Sequence, residues 1–367
     1  GGVWMNAGTV RRCVISNNTI RAGENFYWYY GGGVYMASGT VENCWIMRNQ
    51  VTNDTSYVYA KGGGIYTDGA GCLVRNCTIA SNILDCNSGH WGAGVYEAAG
   101  RVEACRITGN WLSSRANGEA GGAGAVVNGG TARLENCLIE GNQLDTVIGT
   151  QYGGGGAYVQ NGALANCTVV GNYAATNHAG GGVRRTGGSV VNCIVVDNWA
   201  GAVSNMAGVA TYSCAPELTN GTGNIASNPA FLWAGSGYGT NRVPGNSRLA
   251  TGSPCVDAGN TGASTATNDL DGRPRLVDAA VDMGCYEWKL PPLEITNTNG
   301  ATGVTASSAS LNGYLVATGA AAPSVTAYWG PTDGGTNTVA WSNAIPFPGT
   351  WSQGLLTTNI GGLPAGK

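Results

Sequence analysis

The chain has 367 residues, 62 of them glycine, with charged residues at 11% and aromatics at 8%. Glycine at that density does not suit a mostly helical fold, and no apolar run approaches the roughly 18 residues of a membrane helix. Eighteen basic and 21 acidic side chains give a net charge of −3 with no block of either sign, so neither nucleic acid nor anionic lipid is an expected partner. The length predicts two or three domains of about 150 residues each.

The chain opens Gly1-Gly2-Val3-Trp4 without an initiator Met or a signal-like segment, and we expect a piece of a longer polypeptide. Over residues 1–205 the string Cys-x-(Ile/Val)-x-x-Asn recurs seven times, from Cys13, Cys44, Cys77, Cys105, Cys137, Cys167 and Cys193, at intervals of 26 to 33 residues. A Gly-rich entry precedes each copy, as in GGGVY at 31–35 and GGGIY at 62–66. Three residues before each Cys stands an apolar residue (Val10, Val41, Val74, Val102, Leu134, Leu164, Val190). An odd spacing cannot put that residue and the Cys on one face of a single strand, so a corner must separate them. Asn43, Asn76, Asn136, Asn166 and Asn192 mark it, because Asn tolerates the left-handed conformation. By the same logic the Asn five places after each Cys, Asn18 to Asn198, is expected to mark a second corner. Three short strands per turn predict an all-β fold, a right-handed parallel β-helix with cysteines and Ile/Val ladders inside. The row Arg11, Glu42, Arg75, Glu103, Glu135 would lie on an outer face, and Trp4, Tyr35, Tyr66, Tyr96 and Tyr158 would form an aromatic stripe.

This part resembles the repeats of polymorphic outer-membrane proteins and autotransporters, GGA(I/L/V) followed by FxxN, here GGGV, GGGI or GAGV followed by Ile-x-x-Asn or Val-x-x-Asn. The resemblance implies a secreted or surface-exposed passenger. Residues 206–290 carry YSCAP, NPAF, SPCVDAG, NDLDGRPR and VDMGCYEW, a series similar to the choice-of-anchor Q segment that closes such helices, and we expect a β-rich cap there. Residues 291–367 alternate in SASLNGYLV and SVTAYWG and resemble a fibronectin type III or Ig-like β-sandwich, incomplete because it stops just after Leu363-Pro364-Ala365-Gly366.

Chemistry is harder to locate. His90 and His178 are far apart in the repeat, so no His-based catalytic pair or zinc cluster suggests itself. In-register ladder cysteines are expected to stay reduced, whereas Cys255 and Cys285 are candidates for a disulfide. Asp269 and Asp271 form a fragment of a Ca²⁺ loop, although Asx turns explain the same residues, and no other cofactor is expected. The segments between each second Asn and the next Gly-rich strand concentrate Phe26, Tyr27, Trp28, Tyr29, Tyr30, Tyr57, Tyr59, Trp91, Trp111 and Tyr152. Such residues either make a contact surface or fold back over the aromatic stripe. The leading expectation is a non-catalytic extracellular or cell-surface scaffold, adhesive or fibre-forming, that binds itself or another surface protein. The alternative is a carbohydrate-active β-helix, a polysaccharide lyase, hydrolase or glycan binder, using the aromatic edge.

Overall fold

Left-handed residues set the corners of each coil. In the computed structural model, which describes residues 1–21, 28–53, 58–87, 89–114, 119–146, 153–289, 293–297, 300–317, 323–349, 351 and 354–363, φ is 49° to 57° at the residue before each repeat Cys. Five of these are the expected asparagines; Arg12 and Ala104 adopt the same conformation. The corner lets the Val41 row and the Cys44 row both enter the core, where Val41, Val74, Val102, Cys77, Cys105 and Ile107 are buried.

The second corner differs from the expectation. Its left-handed residue stands four places after the Cys, at Asn17, Arg48, Ser81, Gly109, Gly141, Gly171 and Asp197. The Asn that follows turns its side chain inward instead. Asn49 Nδ2 donates to Asn82 Oδ1 at 3.0 Å, Asn82 to Asn110 at 3.0 Å, and Asn110 to Asn142 at 2.9 Å. Each Oδ1 also accepts the backbone N–H of the preceding Asn, and each Nδ2 reaches a carbonyl of the preceding coil, as in Asn82 to Ile46 at 2.9 Å. These amides are wholly buried, so every group needs its partner. The Gly-rich entry makes room for them: a Cβ on Gly64 would lie 2.8 Å from Asn82 Nδ2 and 2.6 Å from the Gly94 carbonyl. The two halves of the repeat thus describe one packed row.

The coil has more strands than the three expected. Sheet 1 stacks eight parallel strands: Val3–Met5, Val34–Met36, Ile65–Thr67, Val95–Glu97, Ala125–Val127, Ala157–Val159, Val183–Arg185 and Met206–Ala207. Sheets 2 and 3 have seven each, from Thr9–Arg11 to Ser189–Val191 and from Val14–Ser16 to Ile194–Val196. What reads as loops in the sequence begins as a six-stranded sheet 4, from Thr19–Arg21 to Tyr173–Ala174. It returns as a four-stranded sheet 5 of Trp28–Tyr30, Tyr59–Lys61, His90–Trp91 and Ala120–Gly121. Between sheets 4 and 5 lies a second core of Val51, Leu84, Leu112, Leu144, Ala60 and Ala120. The apolar residue two places after each ladder Asn fills it. Burying it extends the coil beyond the second corner.

All twelve cysteines are thiols. Along the repeat each Sγ donates to the carbonyl two residues earlier, and those of Cys44, Cys77, Cys105, Cys137 and Cys167 also accept the preceding coil's N–H, as at Cys105, to Glu103 at 3.2 Å and from Cys77 at 3.4 Å. Cys13, in the first coil, is exposed. Cys255 and Cys285 are not joined: Cys255 enters a cluster with Cys214, Leu249 and Met283, whereas Cys285 packs with Leu138, Val170 and Tyr286.

Residues 206–288 belong to the same unit as the repeats, and the chain divides into Gly1–Trp288 and Lys289–Lys367. The segment ends the ladder and also runs along the helix flank. Glu217 Oε1 accepts the Asn205 N–H at 2.9 Å, closing the amide row that Asn198 passes to Asn205. From 239 onward a strap lies on the outer faces of sheets 2 and 3: Gly239 N–H bonds Gly171 O at 2.8 Å, Arg242 pairs Glu140 at 3.1 Å, Asn260 N–H bonds Asn192 Oδ1 at 2.7 Å, and Cys285 N–H bonds Thr168 Oγ1 at 3.1 Å. Leu138, Thr168 and Ile194 are buried beneath it, while Val14 and Trp45 in the same outward row of earlier coils are exposed.

The second unit is antiparallel. Ser308–Ala317 pairs with Glu294–Thr296, Ala301–Thr302 and Gly354–Gly361, and Val325–Trp329 pairs with Asn343–Phe347. Leu315, Leu356 and Phe347 form their shared core.

Candidate functional site

Alternation and register build an aromatic wall on sheets 1 and 5. On sheet 1 the inward Val3, Val34, Ile65 and Val95 are each followed by an outward aromatic, and the parallel register stacks Trp4 on Tyr35, Tyr35 on Tyr66 and Tyr66 on Tyr96. Ring centroids are 6.3, 5.5 and 5.4 Å apart, with planes within 16° of parallel. On sheet 5, Trp28 and Tyr30 point outward while Tyr29 packs against the second core. Tyr59 stacks on Trp28 at 4.6 Å. The two sheets meet at Gly31, Gly62 and Gly92, all with positive φ. A Cβ on Gly62 would meet the Ile65 carbonyl at 2.4 Å, so only glycine makes this turn. The turn brings Tyr30 to 4.6 Å from Tyr66, and the two stripes become one surface.

Lys61 and Asp68 sit in that surface, and the sequence reading passed over both. Lys61 Nζ lies 4.7 Å from the Trp28 ring, 5.5 Å from Trp91 and 4.7 Å from Tyr96, a cation surrounded by π faces. Burial lowers its pKa and Asp68 opposes the shift. Asp68 accepts from the Tyr35 hydroxyl at 2.8 Å and from Tyr66 at 3.3 Å. Burial, aided by that carboxylate, pushes the Tyr35 phenol up to about 12. The available signal was alternation: Lys61 is two places after Tyr59 in one strand and so shares its face.

Of the aromatic residues singled out in the sequence, the structure brings Trp28, Tyr30, Tyr59 and Trp91 together. Trp111 stands apart on sheet 4, donating to Asp145 at 2.9 Å. Phe26, Tyr27, Tyr57 and Tyr152 lie outside the described residues. The wall changes along the axis. Tyr66, Trp91, Tyr96 and Tyr158 are buried against one another, whereas Trp4 and Trp28 are 67% and 46% exposed. Beside the exposed pair lies a cleft of about 370 Å³ lined by Trp4, Ile20, Trp28, Tyr30, Gly31 and Tyr35. Flat apolar faces next to a polar Lys/Asp edge can stack on a ring and bond its substituents.

Carboxylates on the outer faces are otherwise engaged. Glu42 pairs with Arg75 at 2.7 Å. The like-charged neighbours Glu103 and Glu135 are bridged by Arg101 at 2.5 and 2.8 Å. Asp269 and Asp271 are engaged by the protein's own groups, as the Asx-turn reading has them. Asp269 is buried, its Oδ1 accepting the Asp271 and Arg273 N–H groups at 2.9 and 2.8 Å and its Oδ2 that of Glu287 at 3.0 Å. Asp271 makes a two-pronged pair with Arg248 at 2.6 Å. Both carboxylates are used by the protein, as in an Asx turn. Among the described residues no group of three or more His, Cys, Asp or Glu side chains is placed to hold a metal ion.

No curated protein matches the chain. Among solved structures it is similar to the crystal structure of pectate lyase Pel9A, at 15% identity and a TM-score of 0.27, over 77% of this chain and 87% of that one. A family model described as the right handed beta helix region matches residues 1–228. With that match spanning more than half its length and the parallel coils described above, the chain belongs to the right-handed β-helix family.

Proposed function

We propose that this protein is a non-catalytic scaffold of the cell surface or extracellular space, and that the aromatic wall of its first coils is the face with which it holds a polysaccharide. The observation that carries this reading is the wall itself, rings of sheets 1 and 5 stacked and held rigid with the Lys61 cation and the Asp68 carboxylate set among them. Rigid aromatic faces bind sugar rings without losing rotamer freedom. Two further facts support binding over hydrolysis. Hydrolysis needs two carboxyl groups about 5–10 Å apart, and Glu42, Glu103, Glu135 and Glu140 are each locked to an arginine. Asp68, the acid nearest the wall's rings, is occupied by two tyrosine hydroxyls.

Affinity electrophoresis in gels containing acidic and neutral polysaccharides tests the reading. The native chain is expected to be retarded by at least one of them, and the double variant Trp4→Ala, Trp28→Ala to migrate freely while keeping its circular dichroism. Release of reducing ends or unsaturated products by the purified chain would overturn the non-catalytic assignment. Regular polymers in negative stain that vanish in the same variant would reassign the wall to self-association.

A further inference from the structure

We propose that the edge formed by Asn43 and Asn76, with Trp45 beside it, is a docking surface for an acidic polypeptide segment of a partner protein, on a face separate from the aromatic wall. The later coils show what this edge holds. Asn136, Asn166 and Asn192 stand at the same left-handed corner before their cysteines, and all three are buried beneath the strap. Asn192 Oδ1 accepts the Asn260 N–H at 2.7 Å, and its Nδ2 donates to the Asn260 carbonyl at 2.9 Å. Asn166 Nδ2 donates to Ser264 Oγ at 2.9 Å, and Asn136 Nδ2 donates to the Asn268 carbonyl. One corner amide in each coil therefore grips every fourth residue of the strap, from Asn260 through Ser264 to Asn268.

The same row continues past the strap. Asn43 and Asn76 have the same backbone conformation, φ 54° and 53°, but are exposed. Among the described residues neither side-chain amide has a hydrogen-bond partner, whereas all three amides under the strap do. The neighbouring surface is also uncovered. Trp45, two places after Asn43 and in register between Val14 and Thr78, is 53% exposed. It belongs to the outward row whose later members Leu138, Thr168 and Ile194 are buried beneath the strap.

Charge selects the occupant. Over the first three coils of sheets 2 and 3 with their corners, Arg11, Arg12, Arg48 and Arg75 are exposed against one carboxylate, Glu42, which Arg75 holds at 2.7 Å. Among the described residues Arg11, Arg12 and Arg48 have no ion pair. This local excess of positive charge, on a chain of net charge −3, favours an acidic partner. Where the strap covers the same face, arginines already take its oxygens: Arg106 Nη1 donates to the Tyr286 hydroxyl at 3.0 Å and Arg133 Nη2 to the Ala263 carbonyl at 2.6 Å. A polypeptide is the occupant these contacts describe, with its backbone on the corner amides, its carboxylates on the arginines and an apolar side chain over Trp45.

The test follows the fluorescence anisotropy of a labelled random copolymer of glutamate and tyrosine as the full chain is added. Binding is expected, and it should weaken as salt rises. The double variant Asn43→Gly, Asn76→Gly keeps the left-handed corners and removes both amides, and it is expected to bind about tenfold more weakly. Trp45→Ala is expected to weaken binding while leaving the circular dichroism unchanged. The variant Trp4→Ala, Trp28→Ala is expected to bind the copolymer as the native chain does, so this result stands or falls apart from sugar binding at the wall. No binding by the native chain, or binding that the glycine variant leaves unchanged, would overturn the proposal. So would displacement of the copolymer by polygalacturonate at a lower carboxylate concentration, which assigns the edge to a polysaccharide, or dimerisation of the chain that the glycine variant abolishes, which assigns it to a second copy.

Discussion

Glu135 and Thr265 lie 130 residues apart, yet the Thr265 backbone N–H donates to Glu135 Oε1 at 2.8 Å. The Glu135 side chain is wholly buried and also accepts from Arg101 and Arg133 at 2.8 Å and from Asn166 at 2.9 Å. Burial penalises the charge, but these donors outweigh it and hold the carboxyl at about 2. One side chain therefore joins two neighbouring coils to the strap. Glu135→Ala leaves two arginines facing a vacated acceptor and is expected to lower stability by about 3–5 kcal/mol. Hydrogen exchange would show Thr265 and Ala266 losing protection first; unchanged protection there would refute the link.

The pH dependence follows from three buried groups. Burial lowers His90 to about 4, so the neutral ring's contribution is complete above the unfolded value near 6.5 and is lost as pH falls towards 4, about 3 kcal/mol in all. Glu135 adds a loss of similar size between about pH 4.5 and 2, in the same direction. Burial raises Glu97 well above its ordinary value. Its contribution is full below pH 4.5 and is lost as pH rises, the opposite sign. His90 is in register with Ala60 and Ala120, and His90→Ala is expected to flatten the stability curve between pH 6.5 and 4. Glu97→Gln should raise stability at neutral pH by about 1–3 kcal/mol. Urea titrations across pH measure both.

The amide ladder is expected to be more sensitive within the stack than at its start. Asn110→Ala removes bonds to Ile79, Asn142 and Asn82 at 2.9 to 3.0 Å and leaves buried groups unpaired. Its expected cost is about 3 kcal/mol or more. Asn18, in the first coil, bonds only Asn49 among these amides, and Asn18→Ala should cost about 1 kcal/mol. Equal losses in equilibrium unfolding would argue against a ladder that depends on burial.

Ala104 occupies a left-handed corner at φ 50° where five other coils have asparagine. An alanine there carries a steric penalty that glycine lacks. Ala104→Gly is therefore expected to raise stability by about 0.5–1 kcal/mol, visible as a higher denaturant midpoint with an unchanged slope.

The period, the parity of Val10 and Cys13, and the asparagine before five of the seven repeat cysteines were enough to read a parallel β-helix, because each is a local consequence of a backbone geometry that recurs in every coil. The same local reasoning misassigned the asparagine after each Cys. A ladder amide and a turn amide have identical composition, and only stacking shows that Asn82 meets Asn110 and the cleared space beside Gly64. The fourth and fifth sheets were legible in principle from Ile20, Val51, Leu84, Leu112 and Leu144, apolar at a constant offset from the ladder.

By itself the sequence determined the coil, its inward rows and the presence of aromatics along one edge, since those depend on spacing within a single repeat. Tertiary structure alone decided that the rings of sheets 1 and 5 meet in one wall, that Lys61 lies among them, and that Asp269 and Asp271 serve turns and an arginine. Each of these is a meeting of segments tens of residues apart, set by how the coils stack and where the strap lies, and no local pattern encodes such a distance.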